Sequence, residues 1–272
     1  MTMATAPRED AMTEPLVRVE IAGGIAAVRM NRPDRLNALD FPMAEALLAA
    51  IAQAGRDPSV KVVMLTGEGR AFMAGGDVSV FHRAGENAPQ EIGRLIELFH
   101  QIVRRIRRMK PPVICGVQGA VAGGGLGLAV ACDIVIAADN ASFVPAYTRL
   151  GTSPDGGTTW SITRLIGQRR ALEWIMLGDP INAQGAAEIG LINRVVATEK
   201  LTEEVSALAQ RIAAGPAFAF ASVKRLVYQA TGVSFDEQLE AERDAFVAAA
   251  ATKDFREGVA AFFEKRPAKF GD

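Results

Sequence analysis

Apolar residues in the first part of the chain fall into short runs separated by polar turns. Leu16 to Glu20 alternates, and Ile25 to Met30 follows across Gly23-Gly24, a pair that signals a β-hairpin. The polar loop from Asn31 to Asp40 ends in a helix cap, and Phe41 to Ala54 carries a helical pattern behind it. After Asp57-Pro58, the continuous apolar run Val60 to Thr66 predicts a buried strand. It leads into a glycine-rich loop, Gly67 to Asp77, with a helix predicted from Asp77. Pro89 to Met109 has the spacing of a long amphipathic helix, which Pro111-Pro112 ends.

The densest apolar stretch comes next, from Val113 to Asp133. It begins β-branched, passes through Gly123, Gly124 and Gly125, and continues small and uncharged, which predicts strand, tight turn and buried helix. Beyond Trp160 the pattern is helical over Arg169 to Leu177 and Ala183 to Glu188. A short strand from Leu191 to Val196 follows, then helices over 199–213, 216–230, 234–250 and 253–265. Two strand, glycine turn, helix units separated by a helix predict an α/β core with mostly parallel strands.

Composition narrows this picture. The chain has 272 residues, 49% hydrophobic and 22% charged, enough for one large core with an appendage. We expect a loose tail over 1–14, a core over 15–198 and a helical region over 199–272. The formal net charge of −1 gives no global field for nucleic acid; the run Arg104, Arg105, Arg107, Arg108 and Lys110 reads as the solvated face of one helix. Cys115 and Cys132 sit inside apolar runs, as small core residues in a reducing cytoplasm do. No apolar run is long enough to span a membrane, and residues 1–14 lack the apolar centre of a signal peptide. His82 and His100 have no neighbouring ligand pattern for a metal.

Glycine turns expose backbone N–H groups, and a helix that begins at one points its positive dipole end outward. A carbonyl oxygen that becomes negative in a transition state needs two such donors, and Gly76 and Gly124 are the candidates. The alternative is that these glycines only permit close packing. The stretch Gly123-Gly-Gly-Leu-Gly lacks the dinucleotide spacing, and no Walker loop appears.

Four segments in order resemble the crotonase superfamily, the enoyl-CoA hydratases and isomerases: Asn31-Arg-Pro-Asp-Arg-Leu-Asn-Ala-Leu39, Gly69-Arg-Ala-Phe-Met-Ala-Gly-Gly-Asp77, Gly119-Ala-Val-Ala-Gly-Gly-Gly125 and Ala131-Cys-Asp-Ile-Val-Ile-Ala137. The resemblance runs from about Leu16 to the C-terminus. It implies a spiral of ββα units with a C-terminal α-helical oligomerisation region that builds homotrimers, often paired as hexamers. It implies an acyl-CoA thioester substrate, an enolate held by the N–H groups of Gly76 and Gly124, and no metal or redox cofactor, CoA being part of the substrate. It further implies that Arg35, Asn37, Ala38 and Ala74 line the CoA path, and that Lys265 reaches a CoA phosphate.

The acids then decide the branch. Hydratases resembling this chain carry two glutamates, at positions that are Gly127 and Tyr147 here. Neither is a carboxylate. Ser142 to Trp160 instead resembles the isomerase branch, including the ring-epoxide isomerase of phenylacetyl-CoA degradation, whose acid in a Pro-Asp turn corresponds to Asp155. That acid would shuttle a proton between two carbons of the thioester. Asp155 also has the context of a turn or helix-capping residue, and Tyr147 that of a pocket wall. A hydratase using Asp155 alone and a non-catalytic acyl-CoA-binding subunit are the other functions considered.

Overall fold

The computed structural model describes residues 14–271. The tail predicted over 1–14 lies outside the described residues except for Glu14. The hairpin forms as expected, with β1 (Val17–Ala22) antiparallel to β2 (Ile25–Met30) and Ala22 facing Ile25 across Gly23 and Gly24, which have φ of 58° and 79°. Helix α1 (Phe41–Arg56) starts at Asp40, whose side chain accepts from the Met43 N–H. Strand β3 (Val62–Gly67) and helices α2 (Val78–Ala84) and α3 (Ala88–Arg108) precede β4 (Val113–Val117).

The expected strand, turn and helix around the glycine triplet contain one more element. Gly119 turns the chain at φ 55°, where a Cβ would stand 1.9 Å from the Arg70 carbonyl oxygen. Residues Ala120–Ala122 then form β5, before α4 (Gly124–Ala131) and β6 (Ile134–Ala138). A three-residue strand has no readable period, so the sequence hid it. Strands β7 (Ser142–Val144) and β8 (Ile181–Asn182) flank α5 (Thr158–Ile166) and α6 (Gln168–Leu177). The chain continues through α7 (Ala183–Glu188), β9 (Arg194–Val196), α8 (Leu201–Ala213), α9 (Ala217–Gln229), α10 (Phe235–Ala250) and α11 (Lys253–Glu264). The strand expected over Leu191 to Val196 is thus confined to its second half.

Six strands make one sheet in the order β1-β2-β3-β4-β6-β9, parallel except for the first pair; β5-β7-β8 make a second. The central parallel strands of the large sheet are apolar on both faces, as parallel sheets are. Val63, Leu65, Cys115 and Val135 pack with Leu47, Ile51, Phe99 and Ile102 of α1 and α3. Val62, Ile114 and Ile136 face the opposite way, onto Val205 and Ala209 of α8. Helix α8 therefore covers the core sheet, although the sequence-based boundary at 198 put it in the helical region.

Helix α9 is pinned to this core by a buried cation. Lys224 Nζ lies 2.8 Å from Ile106 O, 3.2 Å from Pro111 O and 2.7 Å from Asp133 Oδ2. The Asp133 carboxylate also accepts from the Val113 N–H and the Tyr228 hydroxyl. In the basic run, Arg107 stacks over the Tyr228 and Trp160 rings, 4.0 and 4.6 Å from their centroids. No helix of the described residues is long and apolar enough to cross a membrane.

Candidate active site

The loop after β3 and the turn before α4 run side by side. Met73 N donates to Ala120 O at 3.1 Å, and Ala122 N donates back to Met73 O at 3.0 Å. A Cβ built on Gly75 would lie 2.9 Å from Ala122 O and 3.4 Å from Gly124 N. This stitching puts Gly76 next to Gly124. Among the described residues neither N–H donates to a backbone or side-chain acceptor, and both glycines are half-buried. Gly124 is also the first residue of α4, so its free N–H sits at the positive end of that helix. Two unpaired donors at one spot, without side chains of their own, suit an oxygen that gains negative charge.

The 31–40 loop is fixed to the first turn by backbone bonds. Ala74 N donates to Leu36 O, Leu39 N to Gly75 O and Asp77 N to Leu39 O, at 2.8 to 3.0 Å. Ala38 and Ala74 are half-buried along this seam, and Arg35 is exposed with no side-chain bond or ion pair among the described residues. Asn37 has another task. Fully buried, it accepts from Arg32 N and donates to the carbonyls of Glu68, Ala71 and Phe72, so its amide holds the wall of the site together. Lys265 is exposed at the C-terminal end of α11, a helix that packs on α10.

Asp155 is half-buried in the turn before α5. It does not cap that helix, whose capping position is Gly157 and has no side-chain cap bond. Its Oδ1 instead accepts from the Tyr147 hydroxyl at 3.0 Å, and that hydroxyl lies 3.1 Å from Thr158 Oγ1. Ala146, with φ 60°, turns the chain so that Tyr147 points inward. Burial raises the Asp155 carboxyl above its ordinary value, while the Tyr147 hydrogen bond and the nearby His100 pull it part of the way back. Burial, then the Asp155 charge, raises the Tyr147 phenol too, so it stays a neutral donor.

Helix α3 shapes this turn from behind. Gly156 N donates to His100 Nε2 at 3.2 Å, and Phe99 presses so close that a Cβ on Gly156 would stand 2.2 Å from its ring. The first hydratase position is filled as well. A Cβ on Gly127 would lie 2.6 Å from Thr158 Oγ1, so any side chain there requires Thr158 to move. His100, Thr158 and Arg32 were not singled out as site residues from sequence. Arg32 and Thr158 carried a signal, since they lie within the Asn31 to Leu39 and Ser142 to Trp160 segments. His82 is exposed on α2, and no cluster of three or more His, Cys, Asp or Glu that could hold a metal ion occurs among the described residues.

Comparison with known proteins bears on the same region. A family model described as enoyl-CoA hydratase/isomerase matches residues 20–272. The chain is 38% identical over 248 residues to a 1,2-epoxyphenylacetyl-CoA isomerase of Escherichia coli, covering 91% of this chain and 95% of that one. It is 34% identical to a trans-2-decenoyl-[acyl-carrier-protein] isomerase of Streptococcus mutans (92% and 95% covered) and 36% identical to a crotonyl-CoA hydratase of Syntrophomonas wolfei (90% and 94%). A crystal structure of an enoyl-CoA hydratase from a Polaromonas species superposes with a TM-score of 0.89 at 35% identity, over 94% of this chain and 99% of that one. The α/β core with its helical C-terminal region is thus crotonase-like, and the chain belongs to the enoyl-CoA hydratase/isomerase family.

Proposed function

We propose that the protein is an acyl-CoA isomerase that moves a double bond, or opens a ring epoxide, next to a thioester. The observation that carries this reading is the acid inventory of the site: Asp155 is a half-buried carboxylate, while Gly127 and Tyr147, the positions at which the family resemblance implies a hydratase's two glutamates, are not carboxylates. The N–H groups of Gly76 and Gly124 hold the thioester oxygen and stabilise the enolate. Asp155 takes a proton from one carbon and returns it at another, and its raised proton affinity suits that task. Tyr147 keeps the carboxylate aimed by donating to it. The reaction draws on no metal or redox cofactor.

The CoA would run along Arg35, Ala38 and Ala74, with Lys265 reaching a phosphate. Exposed aromatic side chains on the C-terminal helices, including Phe246, Phe262 and Phe263 at 69, 80 and 77% exposure, suit burial between copies in a homotrimer or hexamer. A cytoplasmic location suits the two free, buried thiols.

The test follows the 2-enoyl thioester absorbance. An isomerase acting on a 3-enoyl-CoA creates that chromophore, and a hydratase acting on crotonyl-CoA destroys it. We expect the first, with Asp155→Asn lowering turnover about a thousandfold or more while CoA binding survives. Rapid hydration of crotonyl-CoA would replace this reading with the hydratase one, and a wild-type-like Asn variant would remove Asp155 from the chemistry.

A further inference from the structure

The Arg32 side chain reaches from the 31–40 loop to the first oxyanion turn, with only 20% of it exposed. Its NH1 donates to Ala38 O at 3.0 Å and pairs with Asp40 Oδ2 at 3.0 Å, and its NH2 pairs with Asp77 Oδ2 at 3.2 Å. The two carboxylates divide their oxygens in the same way. Asp40 Oδ1 caps α1 at Met43 N, and Asp77 Oδ1 caps α2 at Ser79 N and also accepts from Ser79 Oγ. Each Oδ2 is left for the guanidinium. One planar fork therefore ties the starts of two helices to a carbonyl of the 31–40 loop, a geometry an ammonium cannot reproduce from a single point. Asp77 directly follows Gly76, and the peptide group that carries the Gly76 N–H is held on its other side by Leu39 N, which donates to Gly75 O at 2.8 Å, so the guanidinium braces the C-terminal flank of that donor.

We infer that Arg32 is a positioning residue that locks the CoA-side loop to the oxyanion donor Gly76, so that the two behave as one rigid piece. This rests on the oxyanion role proposed above. Binding of the CoA handle along Arg35 and Ala38 is then felt at the reacting carbonyl, because Ala38 O and Asp77 share one guanidinium. Arg32 touches no reacting atom and acts through Asp77 and Ala38.

The experiment uses cinnamoyl-CoA, a conjugated thioester whose absorption moves to longer wavelength when its carbonyl oxygen accepts hydrogen bonds. The wild-type protein is expected to bind it with a red shift. R32K, which keeps the charge but loses the fork, should bind it with the shift reduced by half or more. Its turnover should fall about ten- to a hundredfold, the range of a misplaced oxyanion donor, with KM within about threefold. D77N keeps an oxygen for the Ser79 cap and loses the anionic partner, so it should show the same pattern and carries the test if R32K does not fold. The double variant should be no worse than the poorer single one. Full red shift and turnover in either variant, or additive losses, would overturn the inference. Wild-type binding without any red shift would remove the oxyanion reading and this inference with it. An Arg32-dependent red shift without isomerisation would sink the proposed reaction and leave Arg32 as assigned.

Discussion

Gly124→Ala separates a glycine needed for packing from one needed for chemistry. A Cβ on Gly124 meets nothing closer than 3.9 Å, with Gly75 Cα, Gly76 N and a Phe99 ring atom all at that distance. The methyl therefore fits the fold without displacement, and replacing glycine at the start of a helix should leave stability unchanged or raise it by up to about 1 kcal/mol. Its position next to Gly76 N is the costly part, since it sits beside the gap across which both N–H groups must reach one oxygen. Losing or misplacing one such donor is worth about a hundredfold, or about 2.7 kcal/mol of transition-state binding. The assay is kcat/KM for conversion of a 3-enoyl-CoA, read beside a thermal melt. We expect a melting temperature at or above wild type with activity down about a hundredfold. Gly125→Ala is the control in the opposite sense, because a Cβ there would stand 2.1 Å from Met73 O and should damage folding itself. A Gly124→Ala protein within threefold of wild-type activity would refute the oxyanion assignment.

Two further predictions follow from the raised Asp155 carboxyl. The folded protein holds this proton more tightly than the unfolded chain, so its stability is complete below the unfolded pKa and declines as pH rises through the folded one. Asp155→Asn escapes that decline and should melt above wild type at neutral pH, the two converging in acid; an Asn variant that melts lower at neutral pH contradicts the burial argument. Tyr147→Phe removes the hydroxyl that holds the Asp155 carboxyl down, so the acid limb of the kcat/KM profile should move to higher pH. An unmoved limb would make Tyr147 a pocket wall only.

The elements that positioned the site were readable because their signals are local. The Gly23-Gly24 hairpin, the Asp40 cap and the glycine triplet each announce themselves within a few residues, and all three lie where expected. The second sheet was not readable, since β5, β7 and β8 are two or three residues long. Side-chain roles that depend on distant partners were hidden for the same reason. The Asn37 amide finds its acceptors 31 to 35 residues away, and His100 meets Gly156 across 56. Asp155 was visible as an acid in a turn; only the fold shows that the Tyr147 hydroxyl meets both its carboxylate, 8 residues on, and Thr158, 11 residues on.

The crowding at Gly127 has an evolutionary consequence. A glutamate there must first displace Thr158, and Thr158 is bonded to the hydroxyl that orients Asp155. A single substitution toward the two-glutamate arrangement would disturb the proposed base before a second one was in working order. The position opens without that disturbance if Thr158 shrinks beforehand, which leaves a cavity beside the Tyr147 hydroxyl. Packing behind the site thus acts as a ratchet: under the proposed function, it makes the exchange of proton transfer for water addition hard to reach one residue at a time.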